Sequence, residues 1–456
     1  MDNYQSFIVD KKPQIELIGL KNVPDLHPLL KPHQVKSVDF SLRSGRCGLF
    51  LDTGLGKTFC QLEYLNHAAD ASNGKALLFT PLAVAKQIER EALHWGYDAK
   101  VIREQSDATA KINICNYDRL HLIDPSAFGA VSLDESSILK SFTGKTTRAL
   151  IDTFNGVRFK MAATATPAPN DHMELGKHAE FLQLMSAQEM LMRWFINDTS
   201  TASQEWRLKG HAVDDFYDWM ASWSRMASSP ADMGCDATGY DLLPLNIINH
   251  RAKSSDVIIG DGLFVTQVSA TNMHDLKRQT TGNRSDLAAE IALSDNSPCI
   301  IWCDTDYEAD AIIERLGDKA VEVRGSQKAE IKEANLEAFS LGRIPYIITK
   351  PSVAGFGLNW QHCSRMIFAG RSFSYEMFYQ AVRRCWRFGQ TKRVDVHLIV
   401  AEGEDAIGRV IDRKAYDHAK MKKAMGAAMA RSIDRSAEMK VTYNPTHNGR
   451  KPSWMK

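Results

Sequence analysis

Two short stretches carry the residue types of phosphate chemistry. Leu51-Asp52-Thr53-Gly54-Leu55-Gly56-Lys57-Thr58 directly follows an apolar run and opens a helical pattern. Glycines at that point let backbone N–H groups close around a phosphate, and the helix N-terminus adds its positive end. By this reading Gly54, Leu55 and Gly56 shape the cradle. Lys57 reaches the β- and γ-phosphates of a nucleoside triphosphate, and the Thr58 hydroxyl serves Mg²⁺. The second stretch lies about 75 residues on, where Ala130-Val131-Ser132-Leu133 ends in Asp134-Glu135. In a doubly wound sheet, ligands collect at the C-terminal ends of the strands. Asp134 is expected to hold Mg²⁺ through water, and Glu135 to activate the attacking water.

These residues need a parallel sheet to position them. Apolar runs alternate with helical patterns at Cys47–Leu51, Ala76–Thr80, Ile112–Cys115, Ala130–Leu133 and Phe159–Ala163. The rhythm returns at Cys299–Cys303, Ala320–Val323, Tyr346–Thr349, Met366–Ala369 and Val394–Val400. Short buried strands separated by helices imply crossover connections and parallel pairing. The expected fold is α/β, two tandem domains, with the first at 1–184 (including a lead-in at 1–28) and the second at 245–411. Between them, 185–244 shows no strand rhythm and reads as a helical subdomain followed by a linker rich in Ser, Pro, Gly and Asp. Residues 412–456 form a basic tail, with eleven Lys/Arg against four Asp/Glu, whose last fifteen or so residues are expected to be poorly ordered.

Composition narrows the classes. The 456 residues are 44% hydrophobic and 24% charged with a net charge of +1, so any nucleic-acid surface must be local. No run approaches the roughly 20 apolar residues of a membrane span, and the first residues do not read as a secretory signal. The eight cysteines form no CxxC pair and have no zinc spacing, as expected of reduced thiols in a cytoplasmic protein.

With these motifs in order, the chain resembles the superfamily 2 helicases and translocases, and within them the Swi/Snf-like branch, from about Leu29 to Val400. The most characteristic stretch is Gln380-Ala381-Val382-Arg383-Arg384-Cys385-Trp386-Arg387-Phe388-Gly389-Gln390. The resemblance implies two RecA-like domains that hydrolyse ATP with Mg²⁺ between them while acting on DNA. It makes Arg384 and Arg387 arginine fingers, which three-residue spacing would put on one helix face. Leu30-Lys31-Pro32-His33-Gln34 is similar to the adenine-reading motif, with Gln34 on the base. Gly357, within Ala354–Asn359, and Gln380 are implied to line the nucleotide cleft. Thr164 and Thr166 of Thr164-Ala165-Thr166-Pro167-Ala168-Pro169-Asn170 match a coupling motif. Thr80, Pro81, Asn116, Tyr117, Gly325 and Thr349 fall on the implied nucleic-acid side. Asp134-Glu135-Ser136-Ser137 departs from the usual DEAH wording and, with Trp206–His211, resembles phage- or prophage-encoded helicases, which would place the protein in the host cytoplasm. The expected partner is duplex DNA bound without regard to sequence, with replication or recombination proteins as further partners. Unwinding of DNA or RNA, and a nucleotide-gated scaffold, are the alternatives.

Overall fold

The computed structural model describes residues 15–141, 144–168, 171–198, 205–252, 277–354, 358–401 and 405–438. Every apolar run singled out above becomes a strand. The first domain contains β1 (Arg46–Leu51), β2 (Ala76–Thr80), β3 (Ala99–Val101), β4 (Ile112–Asn116), β5 (Ala130–Asp134) and β6 (Phe159–Ala163). Beyond these lie β7 (Phe195–Asp198) and β8 (Glu205–Leu208), which pair only with each other, antiparallel, and then β9 (Ser224–Ala227). The seven-stranded sheet runs β3-β4-β2-β5-β6-β1-β9, and all its pairings are parallel. Strands covered on both faces carry continuous apolar runs, as here, where alternation would mark a half-exposed sheet.

The second domain holds β10 (Asn246–Arg251), β11 (Cys299–Trp302), β12 (Ala320–Val323), β13 (Tyr346–Thr349), β14 (Arg365–Phe368) and β15 (Asp395–Val400). Its sheet order is β10-β15-β14-β11-β13-β12, again all parallel. The two tandem α/β domains with parallel sheets expected of the chain are both present.

Several elements depart from the expectation, among them β3, β7 and β8, which no apolar run announced. Residues 185–244 are not a separate helical subdomain, because β9 pairs with β1 and completes the first sheet. Trp194, Trp219 and Trp223 of this segment are buried in the first domain's core, with Trp194 stacked on Trp219 at 4.6 Å and Trp219 edge-to-face with Trp223 at 5.4 Å. β9 is only Ser-Arg-Met-Ala, four residues whose apolar content is too thin to announce a strand. β10 was also missed, since its alternating burial is that of an edge strand. Finally, the basic tail is not a tail over most of its described length. A 34-residue helix, Asp405–Glu438, runs through the boundary drawn at 411. Its Met421, Met425, Ala428 and Met429 lie buried in the first domain's core. The charge excess had masked an amphipathic stripe at helical spacing. Among the described residues, no helix is long and apolar enough to cross a membrane.

Trp223 is fully buried against Phe50 and Trp219. Trp223→Ala is therefore expected to destabilise the first domain by about 3–5 kcal/mol, the range for emptying an aromatic site. A urea midpoint that moved by the equivalent of less than about 1 kcal/mol would show that the segment is not core.

Candidate functional site

The phosphate loop leaves β1 at the C-terminal edge of the first sheet. Gly54 and Gly56 sit at φ +93° and +82°, a region costly for other residues. Space excludes a side chain there as well. A Cβ on Gly56 would stand 2.1 Å from the Gln34 amide, and one on Gly54 would stand 2.8 Å from Phe388 of the second domain. The helix Lys57–Asp70 then starts at the loop, aiming its free N–H groups at the cradle.

Two strands away, β5 delivers the acidic pair. Asp134 accepts hydrogen bonds from Gln61 Nε2 and Thr80 Oγ1, each at 3.0 Å, so its orientation is set from both sides. Glu135 follows at φ +54°, an uncommon conformation for a residue with a side chain. Strain of this kind gathers at functional sites, where the surroundings hold it. Thr53, Gly54, Gly56, Lys57, Thr58, Asp134, Glu135, Arg384 and Arg387 all face one cavity. Both domains build it.

Electrostatics follow from this crowding. Burial, aided by Asp134, pushes the Glu135 carboxyl above its usual range, which suits a proton acceptor working near neutrality. Burial lowers the Lys57 ammonium, against the pull of Glu135, Asp52 and Asp134. Lys57 Nζ donates to the Leu51 carbonyl at 2.9 Å. Arg384 falls to about 10 through burial and then the Arg387 charge. Arg387 also falls to about 10, through burial and then Arg383.

The two arginines do not share a helix face. The helix Tyr375–Val382 ends before them, and they lie in the turn that follows. Arg384 itself caps that end, donating to the Gln380 carbonyl and the Leu358 carbonyl, each at 2.9 Å. The last carbonyls of a helix lack intrahelical partners, and a guanidinium satisfies them well. Arg387 Nη1 reaches the same Leu358 carbonyl at 3.3 Å.

A chain of hydrogen bonds joins the acid to the arginine across the cleft. The Thr164 hydroxyl donates to Glu135 Oε2 at 3.3 Å and accepts from the Thr166 amide at 3.1 Å. Gln380 Nε2 donates to Thr166 Oγ1 at 3.1 Å, and Gln380 Oε1 accepts from Arg384 Nη2 at 3.1 Å. Gln380 is thus a bridge between domains and is not brought to the nucleotide cavity, as the sequence had suggested. Gln34 is likewise spent on the loop, with Nε2 on the Leu55 carbonyl at 3.1 Å and Oε1 accepting from the Lys31 amide at 2.8 Å. Gly357 lies outside the described residues.

On the other side of Glu135 a cavity of about 610 Å³ opens between the domains. Pro81, Asn116, Tyr117, Gly325, Lys140 and Lys332 line it, with Glu135 at its floor. Asn116 keeps a buried side-chain oxygen without a protein partner. The Tyr117 hydroxyl donates to the Asp134 carbonyl at 2.6 Å, tying the groove wall to the acidic strand end. Thr80 and Thr349 are not at this surface. Both are buried, and their hydroxyls serve Asp134 and the Val323 carbonyl.

The sequence reading missed several participants. Ser136, which interrupts the usual acidic wording, pairs at 3.1 Å with the buried His178, whose charge burial suppresses. Asp52, Tyr379, Arg383 and Lys422 meet across the cleft. Of these four, Asp52 and Arg383 lay within motifs already singled out, Asp52 as a carboxylate at a strand end beside the loop, whereas Tyr379 and Lys422 did not.

The donor set fits a hydrated divalent cation. Thr58 and Asp134 face the cavity beside Lys57, and among the described residues no group of three or more His, Cys, Asp or Glu could hold a metal unaided. Mg²⁺ commonly takes one or two protein oxygens and completes its shell with water and phosphate.

Residues 283–389 match the family described as the helicase conserved C-terminal domain. That span includes Gln380, Arg384 and Arg387. Among solved structures, the chain is similar to one described as the Sulfolobus solfataricus SWI2/SNF2 ATPase core in complex with dsDNA. The identity is 17%, coverage is 93% of this chain and 98% of the other, and the TM-score is 0.41.

Because the Glu135 carboxyl is raised, turnover that needs its ionised form should fall as pH drops through a value above the ordinary glutamate pKa of about 4.3. Glu135→Gln should abolish that acid limb together with most of the rate. A limb unchanged in the residual activity of the glutamine variant would assign it to another group.

Proposed function

We propose that the chain is an ATP-driven motor of the superfamily 2, Swi/Snf-like kind, hydrolysing ATP with Mg²⁺ in the cleft and translocating on duplex DNA. The observation that carries the reading is the shared cavity. The first domain's Lys57, Thr58, Asp134 and Glu135 and the second domain's Arg384 and Arg387 line it together. In this reading Lys57 and the loop amides hold the β- and γ-phosphates. Thr58 and Asp134 would hold the Mg²⁺, which when bound neutralises charge on the β- and γ-oxygens. Glu135 takes the proton of the attacking water. Arg384 and Arg387 offset the negative charge that spreads over the equatorial oxygens in the transition state.

The hydrogen-bond chain through Thr164, Thr166 and Gln380 supports coupling of this chemistry to domain position. Loss of the γ-phosphate changes what Glu135 and the arginines face, so closed and open clefts are weighted differently before and after hydrolysis. The interdomain groove shares Glu135 with the nucleotide cavity. It offers Lys332 and Asn116 to a phosphate backbone, which suits binding that ignores base sequence, while Lys140 on its wall is ion-paired with Glu376. Strand separation is the second reading, favoured by the β7–β8 pair, which belongs to neither main sheet and packs on the first domain's core.

Lys57→Ala is expected to abolish ATP turnover while the fold survives. Arg387→Ala should lower DNA-stimulated turnover by ~10³-fold or more, the scale for an arginine finger, with a smaller change in ATP affinity. Equal losses of affinity and turnover in the arginine variant would make Arg387 a ground-state binder.

For the motor itself, displacement of a triplex-forming strand from intact duplex should be efficient and unwinding of a forked duplex poor. Stimulation of ATPase activity by duplex DNA should exceed that by single-stranded DNA or RNA. Efficient fork unwinding without triplex displacement would establish the helicase alternative.

A further inference from the structure

The cleft is also bridged at the root of the phosphate loop, by groups that phosphoryl transfer does not require. Asp52 sits where β1 passes into the loop, and its carboxylate is buried. Both of its oxygens are taken by residues far away in sequence. The Tyr379 hydroxyl donates to Oδ1 at 2.6 Å, and Arg383 Nη2 stands 2.9 Å from the same oxygen. Lys422 Nζ donates to Oδ2 at 2.8 Å and also lies 2.9 Å from the Tyr379 hydroxyl. Burial alone would raise the Asp52 carboxyl, but the Lys422 and Arg383 charges outweigh it and hold the group well below the usual range.

The position of Lys422 makes this more than a local ion pair. It belongs to the helix Asp405–Glu438, which starts on the second domain, where Ile407 and Ile411 pack with Tyr375. The same helix ends on the first domain, with Met421, Met425, Ala428 and Met429 in its core and Arg431 Nη2 2.8 Å from Asp218. Lys422 therefore approaches Asp52 from a helix already docked beside it. Tyr379 and Arg383 approach from the other domain, within one turn of Gln380 and Arg384. Opening the cleft would pull those two away and leave Asp52 with Lys422 and the Thr53 amide, which donates to Oδ1 at 2.7 Å.

We propose that Asp52 is the centre of an interdomain latch: Lys422 of the C-terminal helix fixes the Asp52 carboxylate and the Tyr379 hydroxyl, so that Tyr379 and Arg383 hold the second domain against the root of the phosphate loop and set the balance between closed and open clefts. Lys422 is a positioning residue: it touches neither the nucleotide cavity nor the groove. The consequence for catalysis rests on the ATPase reading above, whereas the latch is a property of the protein without nucleotide.

The test uses the full chain carrying a donor and an acceptor dye on non-canonical amino acids at the exposed Asn73 and Asp318, which leaves the native cysteines alone. Without nucleotide, the interdomain distance distribution should be narrow in the parent. It should broaden toward longer distances in Lys422→Met and return in Lys422→Arg. Asp52→Asn should broaden it too, and the double variant should add little, since both changes break one interaction. If the closed fraction falls from most molecules to about a tenth, the apparent Kd of a non-hydrolysable ATP analogue rises about tenfold. An unchanged distance distribution in folded Lys422→Met, or additive broadening in the double variant, would overturn the latch. Failure of the parent to bind the analogue would instead remove the ATPase reading, and the distances would still decide the latch.

Discussion

Two guanidinium groups of one domain must be held out of water against the carboxylates of another, and much of the cleft is arranged around that demand. Taking an ion from water into the interior costs several kcal/mol even after relaxation, unless its hydrogen-bonding groups find partners. Arg384 meets the demand with three oxygens of its own domain, the Gln380 and Leu358 carbonyls and the Gln380 side chain. The helix Tyr375–Val382 ends where it does in keeping with this, because the arginine that follows caps its last turn. A guanidinium held by its own domain stays in place when the cleft changes, ready to meet charge on the other side.

That other side is built around β5. Its end carries Asp134, fixed by Gln61 and Thr80, then Glu135 in a left-handed conformation, then Ser136 bound to His178. Three successive residues thus serve different neighbours: Asp134 meets Gln61 and Thr80, Glu135 meets Thr164 and Ser136 meets His178. Tyr117 adds the groove wall through the Asp134 carbonyl. A shift of this strand end by a fraction of an ångström would be felt in the cavity, the groove and the Thr164–Thr166 relay together. Close-packed interiors transmit such shifts and do not absorb them.

The long C-terminal helix gives the pair of domains a second connection. The chain passes from the first domain to the second near residue 240 and comes back along Asp405–Glu438. Domains joined once are expected to move freely unless their interface is large and apolar. Here the return helix buries methionines in the first core, so the two domains are joined by two passages of chain, and the second of them brings Lys422 to Asp52.

The sequence by itself determined the ten principal strands, the phosphate loop and the acidic pair, because continuous apolar runs, glycines at a strand–helix junction and paired carboxylates are local signals with local causes. The resemblance carried by Gln380–Gln390 also implied the two arginines that line the cleft, Arg384 and Arg387. Tertiary structure decided what each residue does with its polar atoms. Thr80, Thr349, Gln34 and Gln380 all have types suited to ligand contact, yet each is consumed by a partner that only folding supplies. β9 was invisible because four mixed residues become a strand only beside β1. The C-terminal helix looked like a solvated basic tail because its apolar stripe has meaning only against the first domain's core. Asp52, Tyr379, Arg383 and Lys422 lie as much as 370 residues apart, and no spacing rule reaches across that distance. Their meeting is a property of how two domains and one returning helix pack.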